Sequence, residues 1–263
     1  MSASPDHHGG PGSLPSGGSG TGVPVVLLHG ARTSSTMWRA QVRALRGGRR
    51  VVAPDLPGHG SRRGEPFTLD AGLDTVRAAI DSVGGRAVVV GLSLGGYLAL
   101  TVAAREPSRV VGVVAAGCST SPGGPLTWGW RQAVRVIERS PDRGAWLNRT
   151  LVRLLLPEQG AADVAEGGFA LDVMGDLIEE IGRLRPLREL PAVTCPLWLV
   201  NGRWDHFRRQ ERQFLRAATG AASARLVVVP GASHLVSLVR PVAFTRVLLE
   251  VLDECDRAAA AEA

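Results

Sequence analysis

Ser93 is the side chain best placed to do chemistry. It lies in Val88-Val89-Val90-Gly91-Leu92-Ser93-Leu94-Gly95-Gly96, where an apolar run ends in Gly-x-Ser-x-Gly and an amphipathic segment follows. A serine hydroxyl is a weak nucleophile until a base takes its proton, and the chemistry open to it then is acyl transfer through a covalent intermediate. The spacing suits that role. A serine on a tight turn between a strand and a helix projects its hydroxyl above the sheet, and small residues two positions to either side let strand and helix approach. The unpaired N–H groups and positive dipole end of the helix then point at the reacting centre. The bare motif is weak and its strand–helix setting makes it strong; the plain alternative is a glycine-rich turn with an idle serine.

The nucleophile needs a base. Outside the N-terminal stretch, where His7 and His8 lie among Gly, Ser and Pro, the histidines are His29, His59, His206 and His234. None stands near Ser93 in sequence, so a fold must gather them. Val25-Val26-Leu27-Leu28 is a continuous apolar run ending in His29-Gly30, as a strand buried on both faces would read. Similar runs recur at 50–53, 87–90, 110–116, 196–200 and 225–229. Between them, Leu69, Leu73, Val76, Ile80 and Val83 repeat at helical spacing. Leu94 to Arg105 forms a second amphipathic segment that Pro107 stops, and a third begins near Pro241 and ends near Arg257. Strands alternating with helices predict a parallel sheet covered on both faces. Residues 1–22 read as a disordered tail. Residues 119–190 show no strand pattern but several helical ones, with Trp128, Trp130, Trp146, Phe169 and Met174, and read as a helical insertion.

Composition bounds the rest. The chain has 263 residues, 44% of them hydrophobic, enough for one α/β domain with an insertion. No apolar run reaches the ~18 residues that would span a membrane, and no secretory leader is expected. Cys118, Cys195 and Cys255 fit neither a disulfide framework nor a zinc site, which suggests a reduced, cytoplasmic protein. The formal charge is +6 and every basic residue other than histidine is arginine, but the arginines are dispersed and no nucleic-acid motif accompanies them.

The strand–Gly-Leu-Ser-Leu-Gly-Gly–helix unit resembles the elbow of the α/β-hydrolase family, of the serine esterase type seen in carboxylesterases and enol-lactone hydrolases. The likeness covers about residues 24–118 and 191–257 and implies a hydrolase core at 23–118 and 191–263 with a cap at 119–190. The family places its residues in the order nucleophile, acid, histidine. That implies Asp205, after Leu199-Val200-Asn201-Gly202-Arg203-Trp204, as the acid, and His234, after Val229-Pro230-Gly231-Ala232-Ser233, as the base. Some members keep the acid one strand earlier; here that strand ends in Ala116-Gly117-Cys118-Ser119, without a carboxylate. His206 follows the acid and is expected to point elsewhere. His29-Gly30-Ala31 resembles the family's oxyanion loop, so the backbone N–H groups of Ala31 and Leu94 are expected to hold the oxyanion, with His29 a structural hydrogen-bonding residue. Asp55-Leu56-Pro57-Gly58-His59-Gly60 resembles a family turn and is assigned no chemistry.

The family sheet usually has two strands before the one ending in His-Gly. Only the Gly/Ser/Pro stretch precedes Pro24 here, so about six parallel strands are expected, with an exposed edge that could serve a homodimer. The resemblance implies cleavage of an apolar carboxylic ester or lactone, with neither metal nor organic cofactor. Thioester or carbon–carbon hydrolysis is the alternative within hydrolases, and a small-molecule receptor or lyase the alternative outside them. Aspartate-nucleophile relatives such as dehalogenases are disfavoured by Ser93. Arg32, Trp38, Trp128, Trp130 and Trp146 are the candidate pocket residues, Arg32 for a substrate carboxylate. Arg131, Arg135 and Arg139, like Arg208, Arg212 and Arg216, form helix stripes that are ordinarily solvated faces but could dock an acidic acyl-carrier protein. Neither nucleic acid nor membrane is an expected partner.

Overall fold

The structure is a computed structural model that describes residues 18, 20–123, 128, 129, 131, 132, 134, 139 and 144–262. Trp130, Arg135 and most of the expected N-terminal tail lie outside the described residues. Six strands form one sheet: β1 (Gly22–Leu28), β2 (Arg49–Val52), β3 (Ala87–Leu92), β4 (Val110–Ala116), β5 (Leu197–Gly202) and β6 (Ala224–Val229). Their order is β2-β1-β3-β4-β5-β6 and every pairing is parallel. The expected six-stranded parallel sheet is the observed one. β1 starts two residues before Pro24 because Gly22 pairs with Arg49 and the Val23 N–H donates to Asp256 Oδ1 at 2.8 Å.

Apolar runs became strands because both faces are covered. β3 is wholly buried, and so are Val25 to Leu28 of β1. One face packs under α2 (Leu69–Ser82) and α3 (Leu94–Arg105), with Val26, Leu28, Ile80, Leu98 and Val113 in one cluster. The other packs under α1 (Arg39–Leu45) and the C-terminal helix Pro241–Glu262, with Val25, Leu27, Trp38, Phe244 and Leu248. Each fully buried side chain of this size contributes about 1.5–3 kcal/mol. α2 begins on a Thr68 cap whose hydroxyl accepts from the Ala71 N–H.

Between β4 and β5 the described regular elements are helical: α4 (Ala145–Leu155), α5 (Glu158–Gly167), α6 (Met174–Gly182) and α7 (Pro186–Glu189), followed by a short 3-10 turn at Leu190–Ala192. The C-terminal side of the sheet continues with α8 (Glu211–Ala217), α9 (Val236–Val239) and α10 (Pro241–Glu262).

The topology positions the site. Parallel strands bring the residues after β1, β3, β4, β5 and β6 to one edge, where His29, Ser93, Gly117, Asp205 and His234 follow their strands. The strand order also reverses between β1 and β3, and ligands of open α/β sheets bind at such a switch point. The loops on its two sides carry Ala31 and Leu94.

Candidate active site

Ser93 has φ 53° and ψ −110°, and only it and Arg32 are non-glycine residues at positive φ among the described residues. Such a conformation costs about 1–3 kcal/mol and persists only where the surroundings over-determine it. They do so here. The Ser93 N–H donates to Ala116 O at 2.7 Å, and the Gly95 N–H donates to His29 O at 3.2 Å. The flanking glycines are obligatory: a Cβ on Gly91 would stand 2.0 Å from Gly95 O, and one on Gly95 would stand 2.2 Å from Leu28 O.

Asp205 and His234 meet across the edge, His234 Nδ1 lying 3.0 Å from Asp205 Oδ1. The same oxygen accepts from the Phe207 N–H at 2.8 Å. Burial works against the Asp205 charge, but the His234 hydrogen bond and charge and the Phe207 N–H outweigh it and hold the carboxyl below its ordinary pKa. An ionised Asp205 only accepts, so the Nδ1 proton stays on His234 and Nε2 is left as the basic nitrogen.

Gly117 joins these parts. It follows Ala116, the acceptor for Ser93, and at φ +61° a Cβ there would lie 3.1 Å from His234 Cε1 and 3.2 Å from Asp205 Oδ2. In sequence, this position shows only a strand end without a carboxylate. The signal was available as a glycine directly after a buried strand. Phe207 was also missed, although its ring packs 4.8 Å from that of His234. His206 does not point elsewhere: its ring centroid lies 5.2 Å from that of His234. The Asp205 Oδ1–Phe207 N–H turn folds 205–207 back on itself, bringing both following rings to the histidine.

His29 is structural, as expected. Its Nε2 accepts from the Leu56 N–H at 2.9 Å, so Nδ1 carries the proton and donates to Gly30 O at 2.8 Å. Burial lowers its pKa, keeping it neutral. Asp55 clamps the neighbouring turn, accepting from the N–H groups of Ser35 and Ser61 and from the Ser61 hydroxyl, each at 2.8 Å. The Gly30 carbonyl, tied by His29 and by the Thr33 hydroxyl at 2.8 Å, orients the peptide that ends in the Ala31 N–H. Among the described residues neither the Ala31 nor the Leu94 N–H has an internal acceptor. A Cβ built on Gly30 would be 3.7 Å from the Ser93 Cβ, so this loop stands directly beside the serine.

The expected pocket residues separate. Arg32 is half-buried beside this loop, and the Ala170 N–H donates to its carbonyl at 3.3 Å. Trp38 is not a pocket-border residue but a core residue, wholly buried with its ring 5.9 Å from that of Phe244. Trp128 and Trp146 are 66% and 65% exposed and face solvent as placed, rather than an enclosed pocket. Among the described residues, Val134, Met174 and Ile178 pack against Ala31. The Arg208 stripe is interrupted, since Arg208 is held by Glu211 at 2.7 and 3.0 Å.

Residues 25–247 match the model of the Alpha/beta hydrolase family. The chain belongs to that family. Among its relatives, the pimeloyl-[acyl-carrier protein] methyl ester esterase of Nitrosospira multiformis is 35% identical over 42% of this chain, a match that spans only 44% of that protein. Haloalkane dehalogenase 2 of Mycobacterium tuberculosis H37Rv is 30% identical, over 82% of this chain and 83% of that one. In structure, this α/β-hydrolase is similar to a thermophilic esterase from Thermogutta terrifontis, with 25% identity, TM-score 0.73 and coverage of 90% and 92% of the two chains.

Proposed function

We propose that this α/β-hydrolase is a serine hydrolase that cleaves a carboxylic ester or lactone. The observation that carries this is the His234–Asp205 hydrogen bond, made at the same sheet edge as the strained Ser93 elbow. Ser93 Oγ attacks the carbonyl while His234 Nε2 takes its proton, and Asp205 fixes the tautomer and stabilises the imidazolium. The Ala31 and Leu94 N–H groups receive the oxyanion; a donor of this kind is worth about 2.7–4 kcal/mol at the barrier. His234 then protonates the leaving alcohol, and activates a water that releases the acyl group from Ser93. Serine at the elbow separates this chain from the dehalogenase chemistry named for one relative.

The esterase relatives support the ester reading. Their acyl-carrier partner is a second reading for this chain, supported by a partial-length match and weakened by Glu211, which neutralises Arg208. No described helix is long and apolar enough to cross a membrane. The test is reaction with a fluorophosphonate probe, wild type beside Ser93→Ala, followed by a p-nitrophenyl ester chain-length series. Labelling that depends on Ser93 is the expected result; folded wild type that does not label sinks the hydrolase reading.

A further inference from the structure

Arginine carries a charge that it does not surrender at physiological pH, so a guanidinium withdrawn from water needs an anion. The partly or wholly buried arginines obey this rule almost throughout. Arg39, Arg49, Arg62, Arg77, Arg109 and Arg208 each hold an aspartate or glutamate at ion-pair distance. Arg32 does not. Among the described residues it has neither an ion pair nor a hydrogen bond from its side chain, and burial alone draws its pKa down.

Its position gives the exception meaning. Arg32 is two residues past Gly30, at most about 7.6 Å along the Cα trace, and Gly30 stands against the Ser93 Cβ. Ala31, between them, is packed by Val134, Met174 and Ile178, none of which brings a negative charge. Arg32 is also the only other non-glycine residue at positive φ among the described residues, at 65°. The two strained backbones therefore flank the switch point from opposite loops, and strain of this kind clusters at ligand clamps. The other partly buried arginine without a described partner is Arg131, which lies one helical turn before Val134. Both of these cations, unpaired among the described residues, thus belong to the segments that meet at Ala31.

We propose that Arg32 is a substrate-binding residue that receives a carboxylate, and that the natural substrate is an ester or lactone bearing a free carboxylate a few bonds from the scissile carbonyl. This rests on the hydrolase reading and refines it, from a neutral apolar ester to an apolar body with one anionic end. A planar guanidinium takes a carboxylate through two parallel hydrogen bonds, which fixes orientation as well as charge.

The experiment compares matched pairs: mono-p-nitrophenyl glutarate against p-nitrophenyl pentanoate, with the succinate and adipate half-esters and their neutral partners as a length series. For wild type, kcat/KM is expected to favour at least one acid over its neutral partner by about tenfold or more. In Arg32→Gln, and in Arg32→Asn, which tolerates the left-handed backbone, that ratio falls toward one; Arg32→Lys recovers part of it. A wild-type ratio near one at every length, or a ratio unchanged in folded Arg32→Gln and Arg32→Asn, overturns the proposal. A second arm needs no turnover. Monomethyl glutarate is expected to raise the Tm of Ser93→Ala protein and not that of Ser93→Ala/Arg32→Gln, and equal shifts in the two overturn the assignment. Loss of fluorophosphonate labelling would instead count against the hydrolase reading, while this binding arm still judges Arg32.

Discussion

The carboxyl edge of the sheet and the helical segment between β4 and β5 are built on opposite rules. At the sheet edge polar groups are tied: His29 bonds to Leu56 and Gly30, Asp55 to Ser35 and Ser61, Asp205 to His234 and Phe207. In the helical segment, α4 buries none of its residues and leaves Trp146, Leu147, Leu151, Leu154 and Leu155 exposed. Hydrogen bonds of this kind fix the orientation of the candidate groups, as preorganised catalysis requires. The helical segment also reaches the core, through Arg39 with Glu166 and Asp163 and through the Ala170 N–H with the Arg32 carbonyl, and α4 alone among its described α-helices buries no residue. Val164, Val173, Leu177 and Leu184 of the segment are buried in the main core, so the contrast lies between a sheet edge tied by hydrogen bonds and the exposed helix α4.

Substitutions at the sheet edge should dominate. Ser93→Ala or His234→Ala is expected to lower kcat on a p-nitrophenyl ester by about 10⁶, as removal of a triad member does elsewhere. Asp205→Asn, which offers His234 the wrong tautomer, should cost about 10⁴. A change in α4 that cost as much would break the contrast.

Stability should divide the same way. Leu98→Ala, at a wholly buried position under the sheet, is expected to cost about 2–5 kcal/mol in urea unfolding. Leu154→Ala, at a position 75% exposed, should stay within about 0.5 kcal/mol. A large loss at Leu154 would show that α4 is packed in solution against something further.

The sheet edge also carries an acid liability. Burial, then the neighbouring His29, lower the His59 pKa to about 3, and burial lowers that of His29. Their folded forms bind fewer protons than the unfolded chain below its histidine pKa of about 6.5. Stability is therefore full above that value and falls as the pH drops from it, for His59 toward 3 and by up to about 1.4 kcal/mol per pH unit. A Tm profile from pH 8 to 4 should show this decline, and a flat profile would mean that His29 and His59 are not held neutral.

Much of this was legible beforehand. Runs of Val, Leu and Ala marked β3 to β6 to within three residues, because strands buried on both faces tolerate little else. The Gly-x-Ser-x-Gly spacing located the elbow, because only glycine fits where Leu28 and Gly95 approach. The less legible features depend on contacts distant in sequence. Met37-Trp38 after the oxyanion loop reads equally as pocket or core, and Phe244, more than two hundred residues later, settles it as core. His206 looked idle because nothing in Asp205-His206-Phe207 announces that the turn folds back onto His234.

Residue type and spacing determined the parallel α/β plan, the strained serine, and the candidates for its acid and base, since local sterics and hydrophobic periodicity act within a few residues. Tertiary structure decided which groups share a neighbourhood. It set Gly117 against the His234–Asp205 pair, brought His206 and Phe207 to the imidazole, moved Trp38 into the core, and left Arg32 without a counter-charge among the described residues. Packing and electrostatic compensation are sums over neighbours that only the folded chain supplies.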